Sequence, residues 1–144
     1  KISVGYPVEA AEIAMLDQHA AHNPLDDLEP VTDSAEIRKV IDIIGHVHVA
    51  PAVHRYAVCL AAATRHDPDL ALGVSPRGTL HLIRSAKSVA ALAGREFVLP
   101  DDVRSTAQPV LAHRLVPSAA AAMGGRRVEQ VLLDILARVP VPEH

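Results

Sequence analysis

Apolar residues recur every three or four positions along most of this chain, and this spacing predicts amphipathic helices. One helix is marked by Asp33, a typical N-cap residue, with Glu36 three residues later as in a capping box. Other helices are predicted to open at prolines, which fit the first helical position. The predicted helices cover about 8–21 and then begin after Asp33, at Pro51, at Pro76, at Pro100 and near Val128.

The helix that begins at Pro76 has the most specific local signals. Ser75 precedes it as the N-cap, and Gly94 is expected to end it in the left-handed conformation that glycine tolerates best. Its buried face is predicted to consist of residues at helical intervals, namely Leu80, Ile83, Ala86 and Ala90.

The N-terminal segment alternates differently. Ile2, Val4 and Tyr6 occupy every second position, which predicts the end of a β-strand within 1–7. The pattern predicts no second strand to pair with it. We therefore predict an all-α protein, a small bundle of five to six helices, with a short orphan strand at the N-terminus and no internal sheet.

Composition supports helices and limits the possible partners. The 144 residues include 24 alanines and only three aromatic residues, which favours close-packed helices. The apolar fraction of 49% excludes a disordered chain, yet no apolar run approaches the roughly 20 residues that span a membrane. The net charge is −3 and no basic stripe is present, which argues against a nucleic-acid binder. Residues 1–72 carry −6 and residues 73–144 carry +3, so the second half is the expected anion-facing part.

The single cysteine bears on the cellular compartment. Cys59 has apolar neighbours on both sides, which predicts a core thiol in a reducing environment. We therefore expect a cytoplasmic protein.

Residues that could perform catalysis alone are absent. The chain has no phosphate-binding loop of the form GxxxxGK[ST], so we expect it not to bind ATP by itself, and we predict no catalytic residue within it. His46, His48 and His54 lie close together in sequence and could bind zinc. A structural role is favoured, because imidazole often contacts the last carbonyl groups of a helix and no further ligand completes the set. We predict no metal site.

Arg77 is the most informative charged residue. It lies in the first turn of a predicted helix, where the helix dipole disfavours a cation by ~0.3–1 kcal/mol. The N–H groups of such a turn attract anions, and a guanidinium beside them fits a phosphate. From the residues alone, two interpretations of Arg77 stay open: a phosphate contact supported by the Ser75 cap, and a solvated arginine.

Five segments in order resemble the C-terminal part of MoxR-type AAA+ ATPases, from Lys1 to about Arg138. They are Ile2–Pro7, Pro24–Asp26 before Pro30–Val31, Tyr56–Arg65, Gly73–Arg77, and Leu99–Val103 followed by Leu111–Leu115. The resemblance implies that 1–7 ends the last strand of an absent core domain, 8–115 forms a helical lid, and 116–144 is a linker with a C-terminal helix. One departure is Gly78, where the family more often has alanine.

The resemblance also implies a function. Arg77 would be the sensor 2 arginine, which reaches the γ-phosphate of ATP bound with magnesium by the core domain. The family forms hexameric rings that remodel or activate partner proteins, often with von Willebrand factor A-type proteins. The alternative is a stand-alone helical module that binds a protein partner, with no nucleotide role for Arg77. A GxxxxGK[ST] loop one domain length before Lys1 would distinguish the first function from the second.

Overall fold

The computed structural model describes residues 2, 4–19 and 23–142. Within these residues the chain forms seven α-helices, two short strands and two 3₁₀ turns. The helices are α1 (Glu9–His19), α2 (Ser34–His46), α3 (Pro51–Arg65), α4 (Pro76–Leu92), α5 (Pro100–Leu111), α6 (Ala119–Met123) and α7 (Val128–Arg138). The strands are β1 (Leu70–Leu72) and β2 (Val116–Pro117), and the 3₁₀ turns are Pro24–Asp27 and Ala112–Arg114. The predicted helical fold class is confirmed.

The described chain divides into two compact units, one ending at Val40 and one beginning at Ile41. The first unit contains α1, the first 3₁₀ turn and the start of α2, and its large apolar side chains are exposed. The predicted Asp33 cap is confirmed, because Asp33 Oδ1 accepts from the N–H groups of Ala35 (2.7 Å) and Glu36 (2.8 Å). The Glu36 carboxylate accepts instead from the Thr32 hydroxyl at 2.6 Å.

The N-terminal segment has no strand partner among the described residues, and its assignment as the end of a strand of a core domain stays a prediction. Ile2 and Val4–Pro7 form no strand, and Lys1 and Ser3 lie outside the described residues. A strand requires a ladder with a neighbour, and no described segment pairs with this one. The first helix, predicted over 8–21, begins at Glu9 and is described to His19.

The second unit, 41–142, contains one hydrophobic core. Helices α3, α4, α5 and α7 surround it, and alanines at the contacts allow their backbones to approach closely. Its completely buried large side chains are Leu60, Val74, Leu82, Val103, Leu111, Val131, Leu132 and Ile135. Because α7 supplies three of these eight, it belongs to the same core as α3 and α5. The division predicted at 115/116 stays a prediction.

Two predicted burial assignments are wrong. Leu80 is 60% exposed, whereas Leu82 is completely buried and continues along α4 to Ala86 and Ala90. Leucines two positions apart point to opposite sides of a helix, so only one of them can reach the core. Cys59 is exposed, because it falls outside the stripe through which α3 contacts the core.

A small antiparallel sheet corrects the prediction of no internal sheet. Leu70 lies opposite Pro117 and Leu72 opposite Val116, which joins β1 to β2. Strands this short carry no alternating pattern that sequence reasoning could detect. The helix count exceeds the predicted six because the alanine run after Ser118 forms α6, whose cap is the Ser118 hydroxyl, accepting from Ala121 N–H at 3.3 Å.

Candidate functional site

The turn that enters α4 carries both predicted site residues. Ser75 has extended backbone geometry, and its Oγ accepts from the Gly78 N–H at 3.3 Å, which confirms it as the N-cap. Pro76 occupies the first helical position and has no N–H to donate. Of the first three helical residues, only Arg77 therefore has a backbone N–H without a capping acceptor.

The Arg77 side chain is exposed in this first turn. Among the described residues, no hydrogen bond or ion pair involves it, whereas Arg95, Arg126 and Arg138 each contact a carboxylate. A guanidinium free to contact an anion, next to an uncapped N–H at a helix N-terminus, has the chemistry of a phosphate contact. The geometry thus fits a phosphate supplied from outside the described residues.

Val74, which begins this turn, is hydrogen-bonded to the end of α3. Val74 is 1% exposed, and both of its backbone groups bond to α3. Its N–H donates to Thr64 Oγ1 at 2.9 Å, and its carbonyl accepts from Arg65 Nε at 2.6 Å. The Thr64 hydroxyl in turn donates to the Ala61 carbonyl at 2.7 Å. Sequence reasoning missed these contacts, although Thr64 and Arg65 lie within one of the motifs that carried the resemblance.

Two glycines allow close approach around the turn. A Cβ on Gly73 would lie 2.7 Å from backbone atoms of Thr64 and Arg65, so the chain passes α3 at backbone contact distance. A Cβ on Gly78 would lie 2.8 Å from Val74 Cγ1 and 3.9 Å from Arg114 Cδ. The aliphatic stem of Arg114 therefore lies beside the first turn of α4, and its Nε donates to the Val110 carbonyl at 3.0 Å.

The contact between Arg95 and Asp102 has a structural role. Arg95 forms two hydrogen bonds with Asp102, at 2.8 and 2.7 Å, and the Leu99 N–H donates to the same carboxylate at 2.8 Å. The Arg95 hydrogen bond holds the pKa of Asp102 below its ordinary value, although burial opposes the shift. In the sequence, Asp102 was noted only as part of the Leu99–Val103 segment. Its carboxylate joins the end of α4 to the start of α5.

His46 and the backbone of His48 have local structural contacts. His46 Nδ1 lies 2.7 Å from the Asp42 carbonyl at the end of α2, as predicted for a C-terminal contact. The backbone of His48 forms a parallel bridge with Phe97. Within residues 2, 4–19 and 23–142, no three His, Cys, Asp or Glu side chains are grouped to hold a metal ion. No helix in the same residues has the length and apolar character needed to cross a membrane.

Comparison with known families gives this geometry its context. The family model described as AAA lid domain matches residues 62–135, a range that includes Thr64, Arg65, the α4 turn and most of α7. The chain belongs to the AAA lid domain family. The match covers the hydrogen bonds between α3 and Val74, so the turn that carries Arg77 is part of the AAA lid itself.

The relatives identify the kind of AAA lid. Protein MoxR of Paracoccus denitrificans is 39% identical over 109 residues, which cover 66% of this chain and 32% of that protein. Chaperone MoxR1 of Mycobacterium tuberculosis is 30% identical over 152 residues, covering 99% of this chain and 40% of that protein. This AAA lid therefore corresponds to the lid region of MoxR-like AAA+ ATPases. The chain spans between 32% and 44% of the length of the curated relatives it matches.

A solved structure supports the fold of the lid. A candidate ATPase from Cytophaga hutchinsonii superposes with a TM-score of 0.83 at 23% identity, over 99% of this chain and 46% of that one. At this identity the likeness concerns the fold alone.

Proposed function

We propose that Arg77 is the sensor 2 arginine of this AAA lid and contacts the γ-phosphate of ATP bound by a core domain of the same protein. The observation that carries the proposal is the exposed side chain of Arg77, which is unpaired among the described residues. It is an exposed first-turn cation, and no described residue neutralises it, in a chain whose family is the AAA lid. A cation at this end of a helix opposes the dipole, so a negatively charged ligand would remove an unfavourable interaction.

Ser75 and Arg77 have different roles in this proposal. The Ser75 hydroxyl accepts from the Gly78 N–H and so caps α4. This bond fixes the first turn and therefore the direction in which the Arg77 side chain leaves the helix. Arg77 supplies the charge and the planar fork that matches phosphate oxygens. The bond that is hydrolysed belongs to ATP, which binds together with magnesium. The lid contributes a contact to its phosphates and a rigid body that can follow the nucleotide state.

The proposal extends to the whole protein. We propose an ATPase whose core domain and neighbouring ring subunits are the partners of this lid, with hydrolysis coupled to remodelling or activation of other proteins. Von Willebrand factor A-type proteins are the proposed partner class, and the cytoplasm is the proposed location. The chaperone name of the Mycobacterium tuberculosis relative supports the remodelling role.

Substitution of Arg77 in the full-length protein tests the proposal. Arg77→Ala removes a charge-assisted hydrogen bond worth about 1.5–3 kcal/mol, so we expect a ten- to hundredfold loss in ATP affinity or turnover. Folding stability should change by no more than about 0.5 kcal/mol, since the side chain is exposed. Steady-state ATP hydrolysis, equilibrium ATP binding and thermal melting measure these quantities.

Arg84→Ala is the matched control. Arg84 is also an exposed arginine of α4, and it lies two turns beyond Arg77, roughly 10 Å along the axis. Its removal should leave ATP binding and turnover within twofold of the wild type. If Arg77→Ala has an equally small effect, the sensor assignment is wrong and Arg77 is a solvated arginine of the lid.

A further inference from the structure

We infer that Thr64 and Arg65 are positioning residues for Arg77, an inference that rests on the proposed sensor role. Their contacts converge on Val74, three residues before Arg77. The Thr64 hydroxyl accepts from the Val74 N–H at 2.9 Å, and Arg65 Nε donates to the Val74 carbonyl at 2.6 Å. Both backbone groups of one residue are thus fixed by two consecutive side chains at the end of α3.

These bonds connect parts of the chain that the turn would otherwise leave independent. They span 10 and 9 residues and join the end of α3 to the start of α4. The Val74 side chain is buried, and Gly73 lies against the backbone of Thr64 and Arg65. The position of the turn is therefore set by α3 as well as by the Ser75 cap of α4.

Thr64 is suited to this role because its hydroxyl is used twice. It is completely buried, and Oγ1 donates to the Ala61 carbonyl at 2.7 Å while accepting from Val74. The bond to α3 fixes the rotamer of Thr64, and the remaining lone pair then points at the Val74 N–H. Valine would fill the same space and leave that N–H without an acceptor.

The consequence concerns Arg77 because a phosphate contact depends on placement. A charged hydrogen bond weakens when its donor is displaced by a fraction of an ångström, and a side chain held by a fixed backbone loses less freedom on binding. Loss of either bond to Val74 should release the turn from α3. The Arg77 guanidinium would keep its charge, but the backbone that carries it would no longer be held in one position.

The test uses the full-length protein with ATP as the ligand. We expect Thr64→Val and Arg65→Met each to weaken ATP binding or raise the KM for ATP about three- to tenfold. Thr64→Ser keeps the hydroxyl and should remain within twofold of the wild type. In an Arg77→Ala background, Thr64→Val and Arg65→Met should change ATP binding by less than twofold, because the group that they position is already absent.

A matched control separates positioning from general stability. Thr106 is also a buried threonine, and its Oγ1 donates to the Asp102 carbonyl at 2.7 Å, so its hydroxyl bonds within α5. Thr106→Val should lower the melting temperature and leave ATP binding within twofold. If Thr106→Val weakens ATP binding as much as Thr64→Val does, the effect is one of stability and the inference fails.

The remaining outcomes are distinct. If Arg77→Ala leaves ATP binding unchanged, the proposed function fails. If Arg77→Ala weakens binding but Thr64→Val and Arg65→Met do not, the function stands and the positioning role is refuted. If their effects add fully to that of Arg77→Ala, they act on ATP by another route and the inference is again refuted. Should Thr64→Val fail to fold, Arg65→Met decides the question, because Arg65 is an exposed residue.

Discussion

Gly78→Ala should destabilise this lid, although alanine is the better helix former. Gly78 lies in the first turn of α4 and is buried. A Cβ there would lie 2.8 Å from Val74 Cγ1, about 1 Å inside the usual contact distance between carbon atoms. Val74 cannot easily yield, because it is 1% exposed and both of its backbone groups are hydrogen-bonded to α3.

Two opposing contributions set the size of the effect. Replacing glycine by alanine in a helix gains up to about 1 kcal/mol in propensity. Overpacking a well-filled site costs roughly 1–3 kcal/mol. The difference predicts that the free energy of unfolding falls by about 1 kcal/mol.

Urea unfolding of the chain, followed by circular dichroism at 222 nm, measures the effect. Gly45→Ala is the control, because Gly45 also lies in a helix and a Cβ there meets nothing within 4 Å. It should stabilise the helix by about 0.5 kcal/mol or more. Gly78→Ala in a Val74→Ala background should become stabilising too, since the methyl group that it meets is gone. Gly78→Ala that stabilises as much as Gly45→Ala in the wild-type chain would refute the reasoning.

Two further variants test contacts around the same core. Gly73→Ala would place a Cβ 2.7 Å from backbone atoms of Thr64 and Arg65, which cannot rotate away, so its loss of stability in urea should exceed that of Gly78→Ala; an equal or smaller loss would contradict the close approach. Asp102→Asn should flatten the acid side of the stability profile. Arg95 lowers the folded pKa of Asp102, so this carboxylate stabilises the fold above its ordinary value of 3.8 and that contribution disappears as pH falls through the lowered pKa. Melting temperatures from pH 6 to pH 2 would show the loss in the wild type, and an equally steep loss in the variant would exclude Asp102 as its source.

Features that depend on a few neighbouring residues could be predicted from the sequence. The Asp33 and Ser75 caps and the left-handed Gly94, with φ of 71°, all follow from chemistry within one helical turn. The helical fold class follows from periodicity for the same reason. Arg77 was recognised as unusual from its place in the first turn, and its proposed role came from the resemblance to a family.

Contacts between distant residues were not predictable in this way. Leu80 and Leu82 are equally apolar, and only the packing of α4 against its neighbours decides which one is buried. The bonds from Thr64 and Arg65 to Val74 depend on the path of the chain through 66–73. That path is fixed by close backbone contacts and by a sheet of a few residues, which leave no periodic signal.

The burial of α7 has a consequence for how this lid is made in the cell. Val131, Leu132 and Ile135 fill the same core as Leu60 and α5, although they are synthesised after α3, α4 and α5. A ribosome releases the chain N-terminus first, at about 5–20 residues per second, so α3 to α5 emerge with part of their apolar surface uncovered. That surface is open to aggregation and to chaperone binding until α7 arrives. The core therefore closes only after α7 has been synthesised.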